Sequence, residues 1–263
     1  MKNRLRKTIY IILGLLSKLT LRKVNAFVLC YHGFSNDNWK FSTTTSSFKK
    51  QILALKKTHT FVSAPEFESY LSTNFFAEKP LVLLTIDDGY KDIMSVREFL
   101  NRQNIKPTVF LLSNARDVNR KELDNHKELL SIKDIRILQR DGWFFGSHGA
   151  THSDFYKLSR EDIAYEVTGS KQDLEKVLGC SVDYFAYPKG RYTKEILTVV
   201  KKSGYKMAFS MDDNLISQKT KELTIPRIGI DGTHAFSEFK NLTSFYAIIF
   251  RRTIKKYLPS LAI

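Results

Sequence analysis

Six short apolar runs constrain this chain more than any other feature: Phe27–Tyr31, Leu81–Ile86, Thr108–Leu112, Trp143–Gly146, Val182–Tyr187 and Met207–Ser210. Each is four to six residues long and rich in β-branched or aromatic side chains. They are too short for buried helices and lack the polar alternation of a half-exposed strand, so they predict strands covered on both faces. Amphipathic stretches lie between several of them. Ser63-Ala64-Pro65-Glu66 carries a capping residue, an early proline and an acid three positions on, which predicts a helix start. Ser159-Arg160-Glu161-Asp162 opens another, with Ile163, Val167, Leu174, Val177 and Leu178 on one face and Gly179 as its stop. Strands alternating with helices predict an α/β fold, a parallel sheet or barrel. Residues 113–130 lack either period and are expected to be an insertion over one face.

Charge divides the 263 residues differently. The net +15 is a possible nucleic-acid signal in size but not in placement. Residues 1–60 hold 12 Lys/Arg and one acid, residues 241–263 hold four and none, and the middle carries 26 of each sign. No basic-aromatic recognition motif accompanies the surplus, so no nucleic-acid partner is expected. Both ends are basic and apolar together. Residues 1–25 read as an amphipathic segment, 26–240 as one catalytic-sized domain and 241–263 as a second amphipathic helix. The uncharged run Thr8–Ser17 is ten residues, against the roughly 20 that span a bilayer. Lys18, Arg22 and Lys23 disfavour a cleaved signal peptide. Two readings of the ends stay open: an apolar stripe packed on the domain, or peripheral contact with an anionic membrane through residues 1–23 and 244–263. The expected location is accordingly cytoplasmic or peripheral on a membrane surface, with an uncleaved anchor to an extracytoplasmic face as the alternative.

Polar residues gather where the apolar runs stop. Asp87-Asp88-Gly89 follows Leu81–Ile86, and two adjacent carboxylates at a buried strand end need a partner or a metal. His148 and His152 follow the fourth run and are four apart across small residues. Two imidazoles plus a carboxylate from another strand make an N,N,O set suited to zinc or another divalent ion. Pro188-Lys189-Gly190 ends the fifth run in a turn that can aim a backbone N–H at an oxyanion. His32 ends the first. Each has a plainer reading, as a turn, a cap or a solvated histidine; their co-occurrence favours a site.

Thr85-Ile86-Asp87-Asp88-Gly89, His148-x3-His152 and Phe185-Ala186-Tyr187-Pro188-Lys189-Gly190, in this order, resemble the polysaccharide deacetylase family (carbohydrate esterase family 4, NodB-homology domain) over about residues 27–240. The opening Val28-Leu29-Cys30-Tyr31-His32 is similar to the permuted branch that includes poly-β-1,6-N-acetylglucosamine deacetylases. The resemblance implies a distorted (β/α) barrel of about seven parallel strands in a single domain. It implies hydrolysis of a sugar N-acetyl group to a free amine and acetate, with one divalent ion, zinc first and cobalt or nickel as alternatives. It further implies Asp87 as general base, Asp88, His148 and His152 as metal ligands, His32 as the acid for the leaving amine, and the Lys189 backbone N–H as an oxyanion donor. The candidates for the N-acetylated glycan are a polymer, an oligosaccharide and a lipid-linked precursor.

The family's base-orienting arginine is replaced by Ala186, and Arg227 is the expected substitute. Asp212 and Asp213 are the candidates for an acid beside the catalytic histidine, and His234 is the alternative to His32. Trp39, Phe41, Tyr187 and Tyr192 are candidates for stacking on sugar faces, and Cys30 and Cys180 read as buried thiols away from any base. A degenerate carbohydrate-binding or scaffold protein on the same fold is the competing class, disfavoured because base, ligands and acid are all present.

Overall fold

A computed structural model describes residues 2–73, 77–114, 123 and 127–257. Nine strands occur among them: β1 (Ala26–Tyr31), β2 (Thr60–Val62), β3 (Leu81–Ile86), β4 (Thr108–Leu111), β5 (Phe144–Ser147), β6 (Tyr184–Ala186), β7 (Met207–Ser210), β8 (Ile225–Pro226) and β9 (Ile228–Gly229). Every pairing is parallel, in the order β8-β7-β6-β5-β4-β3-β1-β9. The two ends of this path, β8 and β9, are separated in sequence by Arg227 alone. The sheet therefore curls almost onto itself, as a distorted (β/α) barrel. β2 lies off the path and pairs with Leu81–Leu83 at the start of β3, before β4 joins at Thr85.

The six predicted strands are all present. The barrel exceeds the expected seven because β2, β8 and β9 are two or three residues each, too short to carry a period. Most of the expected insertion at 113–130 lies outside the described residues.

Helices α1 (Lys2–Leu19), α2 (Thr45–Lys56), α3 (Ala64–Ser72), α4 (Met94–Arg102), α5 (Ile132–Arg140), α6 (Arg160–Ala164), α7 (Ser170–Leu178), α8 (Lys194–Lys202), α9 (Phe236–Leu242) and α10 (Phe245–Tyr257) surround the strands. The Ser63 backbone N–H donates to the Glu66 carboxylate at 2.7 Å, as the capping signal predicts, and Gly179 ends α7 at φ 70°. α6 and α7 are joined by a π-helical stretch, Tyr165–Gly169.

Alternate strand residues separate into two packed groups, the signature of a closed sheet. Ala26, Val28, Leu81, Leu83, Phe110, Tyr184, Ala186, Met207, Phe209 and Ile225 pack together inside, with Ala64, Phe67 and Leu71 of α3. Phe27, Leu29, Val82, Leu84, Val109, Phe145 and Phe185 face the helices. The inner positions continue at the strand ends into Cys30, Thr85, Asp87, His148 and Arg227. Polar chemistry thus occupies the mouth of a barrel whose lower layers are apolar.

Candidate active site

Asp87 anchors the mouth. Its backbone N–H bonds the Tyr31 carbonyl at 2.9 Å, which carries the β1–β3 register one residue past the strand. Arg227, 1% exposed, grips its carboxylate with both guanidinium arms, each N–O distance 2.7 Å. Arg227 also donates to the Thr85 hydroxyl at 3.2 Å. Burial works to raise the Asp87 carboxyl, but the Arg227 charge overrides it and holds the group below the usual carboxylate range. A buried carboxylate kept ionised, with lone pairs to spare, is the form a proton acceptor needs. The arginine expected from a later strand is therefore in place at the β8–β9 junction.

Asp88 turns the other way. It takes φ 70°, a left-handed conformation costly for a residue with a side chain, as does His152 at φ 61°. The strained backbones bring three donors together: Asp88 Oδ1 lies 3.6 Å from His148 Nε2 and 3.8 Å from His152 Nε2. All three ligand atoms lie within 4.8 Å of one another. Asp88 Oδ1 is buried and takes no hydrogen bond among the described residues. Burial and the neighbouring Asp87 charge push the Asp88 carboxyl well up, a cost that a bound cation would relieve. Burial lowers both imidazoles, His152 to about 3, which keeps them neutral and able to ligate. His148 Nδ1 lies 2.8 Å from the Ala186 carbonyl, which leaves Nε2 unprotonated toward Asp88. The residues fit a divalent ion.

Glu166, which the sequence reading did not single out, holds this loop. It is 3% exposed and sits in the π-helical stretch. Its Oε2 accepts from the backbone N–H groups of Ala150 and Thr151 at 2.7 and 3.1 Å, and its Oε1 from the Thr151 hydroxyl. Gly149, at φ 85°, leaves room for this approach, since a Cβ there would meet Oε2 at 2.7 Å. The available signal was an acid on the inward face of a predicted helix.

His32 joins Asp87: a ring nitrogen, an Asp87 carboxylate oxygen and the Cys30 Sγ all lie within 4.8 Å. Its Nδ1 is buried and without a hydrogen bond among the described residues. Burial lowers the imidazole to about 4, against the opposing pull of Asp87 and, more weakly, Asp231. The Asp231 charge reaches His32, whereas Asp212 and Asp213 are engaged elsewhere. Asp212 bonds the Tyr192 and Ser210 hydroxyls at 2.8 and 2.9 Å, and Asp213 pairs with Arg251 at 2.7 Å. His234 sits against Asp231 at 3.0 Å, in the loop after β9. At the third motif Lys189 takes φ 57° within the Pro188–Gly190 turn, beside the metal-site loop.

Three further expectations change. Cys30 is buried, but its thiol donates to Asp87 Oδ2 at 3.3 Å, so it lies directly beside the carboxylate expected to act as base. Cys180 is exposed, because the chain has left α7 at Gly179. Tyr187 is fully buried with its hydroxyl on the Leu223 carbonyl, so it presents no face to a sugar. Phe41 and Trp39 do lie by His32, at ring distances of 5.2 and 6.2 Å.

The profile of the polysaccharide deacetylase family matches residues 77–208, half of the chain and the stretch that holds all three motifs. The chain belongs to the polysaccharide deacetylase family. It is accordingly a hydrolase of the N-acetyl amide of glycans, from a metal-dependent family. It is 26% identical over 241 residues to the poly-β-1,6-N-acetyl-D-glucosamine N-deacetylase of Staphylococcus aureus, covering 80% of each chain. The Staphylococcus epidermidis enzyme of that name is 26% identical over 218 residues, 78% of this chain and 73% of its own. The fold is similar to that of the deacetylase PplD of Streptococcus pyogenes, with TM-score 0.72, 24% identity and coverage of 84% and 98%. IcaB from Ammonifex degensii superposes with TM-score 0.74 at 20% identity over 86% and 98%. Among the described residues no helix is long and apolar enough to cross a membrane.

Proposed function

We propose that this deacetylase removes the N-acetyl group from N-acetylglucosamine units of a glycan, with zinc at Asp88, His148 and His152 and the catalytic domain spanning residues 26–240. The observation that carries the reading is Asp87: a buried carboxylate kept charged by Arg227, beside an orphaned Asp88 oxygen aimed at two neutral imidazoles. The named Staphylococcus relatives support the sugar.

The ion supplies Lewis acidity to the attacking water and the acetamide carbonyl. Asp87 accepts the proton of that water, and Arg227 keeps its carboxylate oriented and ionised. The Lys189 backbone N–H donates to the oxyanion that develops. His32 is neutral in the resting site. The negative charge of the tetrahedral adduct raises its proton affinity, so it takes up the proton that Asp87 accepted from the water and delivers it to the leaving nitrogen. The C–N bond breaks to acetate and a free amine.

The setting is a peripheral one, at an anionic membrane surface. Five aliphatic side chains of α1, Leu5, Ile12, Leu15, Leu16 and Leu19, are 40–81% exposed among basic residues, which supports such contact.

Acetate release from a panel of N-acetylated oligosaccharides and lipid-linked sugars tests the function. Asp87→Asn should lower release by roughly 10²-fold or more while metal content stays that of wild type. Undiminished release by that variant would overturn the mechanism.

A further inference from the structure

Beside the N,N,O set lies a second cluster of ligating atoms. Cys30 occupies an inner position of β1, in line with Ala26 and Val28, and its Sγ, a His32 ring nitrogen and an Asp87 oxygen lie within 4.8 Å of one another. The thiol already points at Asp87 Oδ2, 3.3 Å away. His32 Nδ1 is buried with no hydrogen bond among the described residues. Cys30 and Asp87 are buried while His32 is half-buried, so its ring forms the entrance.

We propose that Cys30, His32 and Asp87 form a second, inhibitory site for a soft divalent ion such as zinc or cadmium. Thiolate, imidazole and carboxylate together select such ions over magnesium or calcium, which take oxygen ligands. Arg227 does not block the site. Its two arms use one lone pair on each Asp87 oxygen, and an ionised carboxylate offers about four such positions. On binding, the Cys30 S–H bond breaks, an S–metal bond forms and the proton leaves to water. The ion thereby brings one net positive charge next to the Arg227 guanidinium. The Asp88–His148–His152 set displaces no thiol proton, and Arg227 bonds none of its members among the described residues, so it fills first and the Cys30 site second. An ion in the second site occupies the Asp87 and His32 atoms that turnover requires. Soft metal in excess therefore inhibits, and hard metal does not. The inhibition rests on the roles given above to Asp87 and His32; occupancy of the site does not.

Cadmium titration of the metal-free full-length chain reads occupancy directly, because sulfur-to-cadmium charge transfer absorbs in the near ultraviolet. Cys180→Ser serves as background, leaving Cys30 as the sole thiol of the two in the sequence. The first equivalent should bind without the band, since the N,N,O set has no sulfur, and the band should grow with the second. Cys30→Ser should abolish the band and keep the silent equivalent in equilibrium dialysis. His32→Gln, which retains the thiol, should weaken the second step by roughly 10-fold or more. In turnover, Cys30→Ser should raise the half-inhibitory zinc concentration by a similar factor relative to its own uninhibited rate. No Cys30-dependent band at saturating cadmium would overturn the site, and unchanged zinc inhibition in Cys30→Ser would overturn its inhibitory role. A chain inactive on every glycan would sink the proposed deacetylation yet still show the band.

Discussion

Arg227 and Asp87 meet two opposed demands on the general base proposed here, which must be shielded from water yet stay ionised. Burial alone would protonate Asp87; the two 2.7 Å bonds from Arg227 reverse that. Removing the guanidinium charge raises the Asp87 pKa, so the acid limb of the rate profile, which needs the carboxylate, moves to higher pH. An Asp beside an arginine is shifted by about 1 to 3 units. Arg227→Gln should therefore displace the limb by at least about one pH unit in kcat/KM measured across pH. Arg227→Lys, which keeps the charge but not the fork, should displace it less. An unmoved limb in Arg227→Gln would remove the arginine from this role. Arg227 was legible only through the resemblance, as an arginine to stand in for the one that Ala186 replaces. The Cys30–Asp87 contact was not. It depends on the β1–β3 register that sets Cys30 opposite Thr85, and no local pattern encodes which strands lie side by side. Asp231 was hidden for the same reason, in a loop after a two-residue strand.

The loop bearing His148 and His152 shows how an element can be held in an unfavourable shape. Between Gly149 at φ 85° and His152 at φ 61°, Ala150 and Thr151 donate three hydrogen bonds to Glu166, which fixes the loop in this shape. The π-helical stretch places that carboxylate, and such bulges recur at functional sites. Glu166→Gln replaces one acceptor oxygen by an amide donor that faces N–H and O–H groups. Metal affinity should fall roughly 10- to 100-fold, read by competition with a chromophoric chelator, while saturating metal restores kcat. Wild-type affinity in that variant would show that the loop needs no clamp. Element type was legible where a run reached four residues and at the capped starts of α3 and α6, while the caps at Thr44, Ser131 and Thr193 went unread. The π-helical stretch shares the apolar spacing of the helices it joins, with Val167 buried as predicted, and so leaves no separate trace.

Over the whole molecule, the two readings of the N-terminal segment prove compatible. One face of α1 is fixed to α9 and α10: Arg6 pairs with the buried Glu238 at 2.6 Å, Tyr10 packs edge-on to Phe250, and the Tyr246 N–H donates to the Ser17 hydroxyl at 3.1 Å. The opposite face carries Leu5, Ile12, Leu15, Leu16 and Leu19, at helical spacing. Arg4, Lys7 and Lys18 are exposed beside this stripe. On the proposed membrane reading, a helix docked this way would orient the barrel at the surface as well as anchor it, because Arg6 also reaches the Thr233 carbonyl at 2.7 Å, on the loop following β9 at the mouth. Leu15→Ser, Leu16→Ser and Leu19→Ser together should spare the docked face. With about 1 kcal/mol of interfacial burial lost per leucine, partitioning onto vesicles rich in anionic lipid should drop by roughly two orders of magnitude. Flotation of the full-length chain measures this, and added salt should weaken wild-type binding through the basic flank. Acetate release from a soluble N-acetylated oligosaccharide should not change, because none of the three residues touches the mouth. Equal flotation of variant and wild type would end the membrane reading. A wild type that instead dimerises in the absence of lipid, with the triple variant monomeric in light scattering, would assign the stripe to a second copy of the chain.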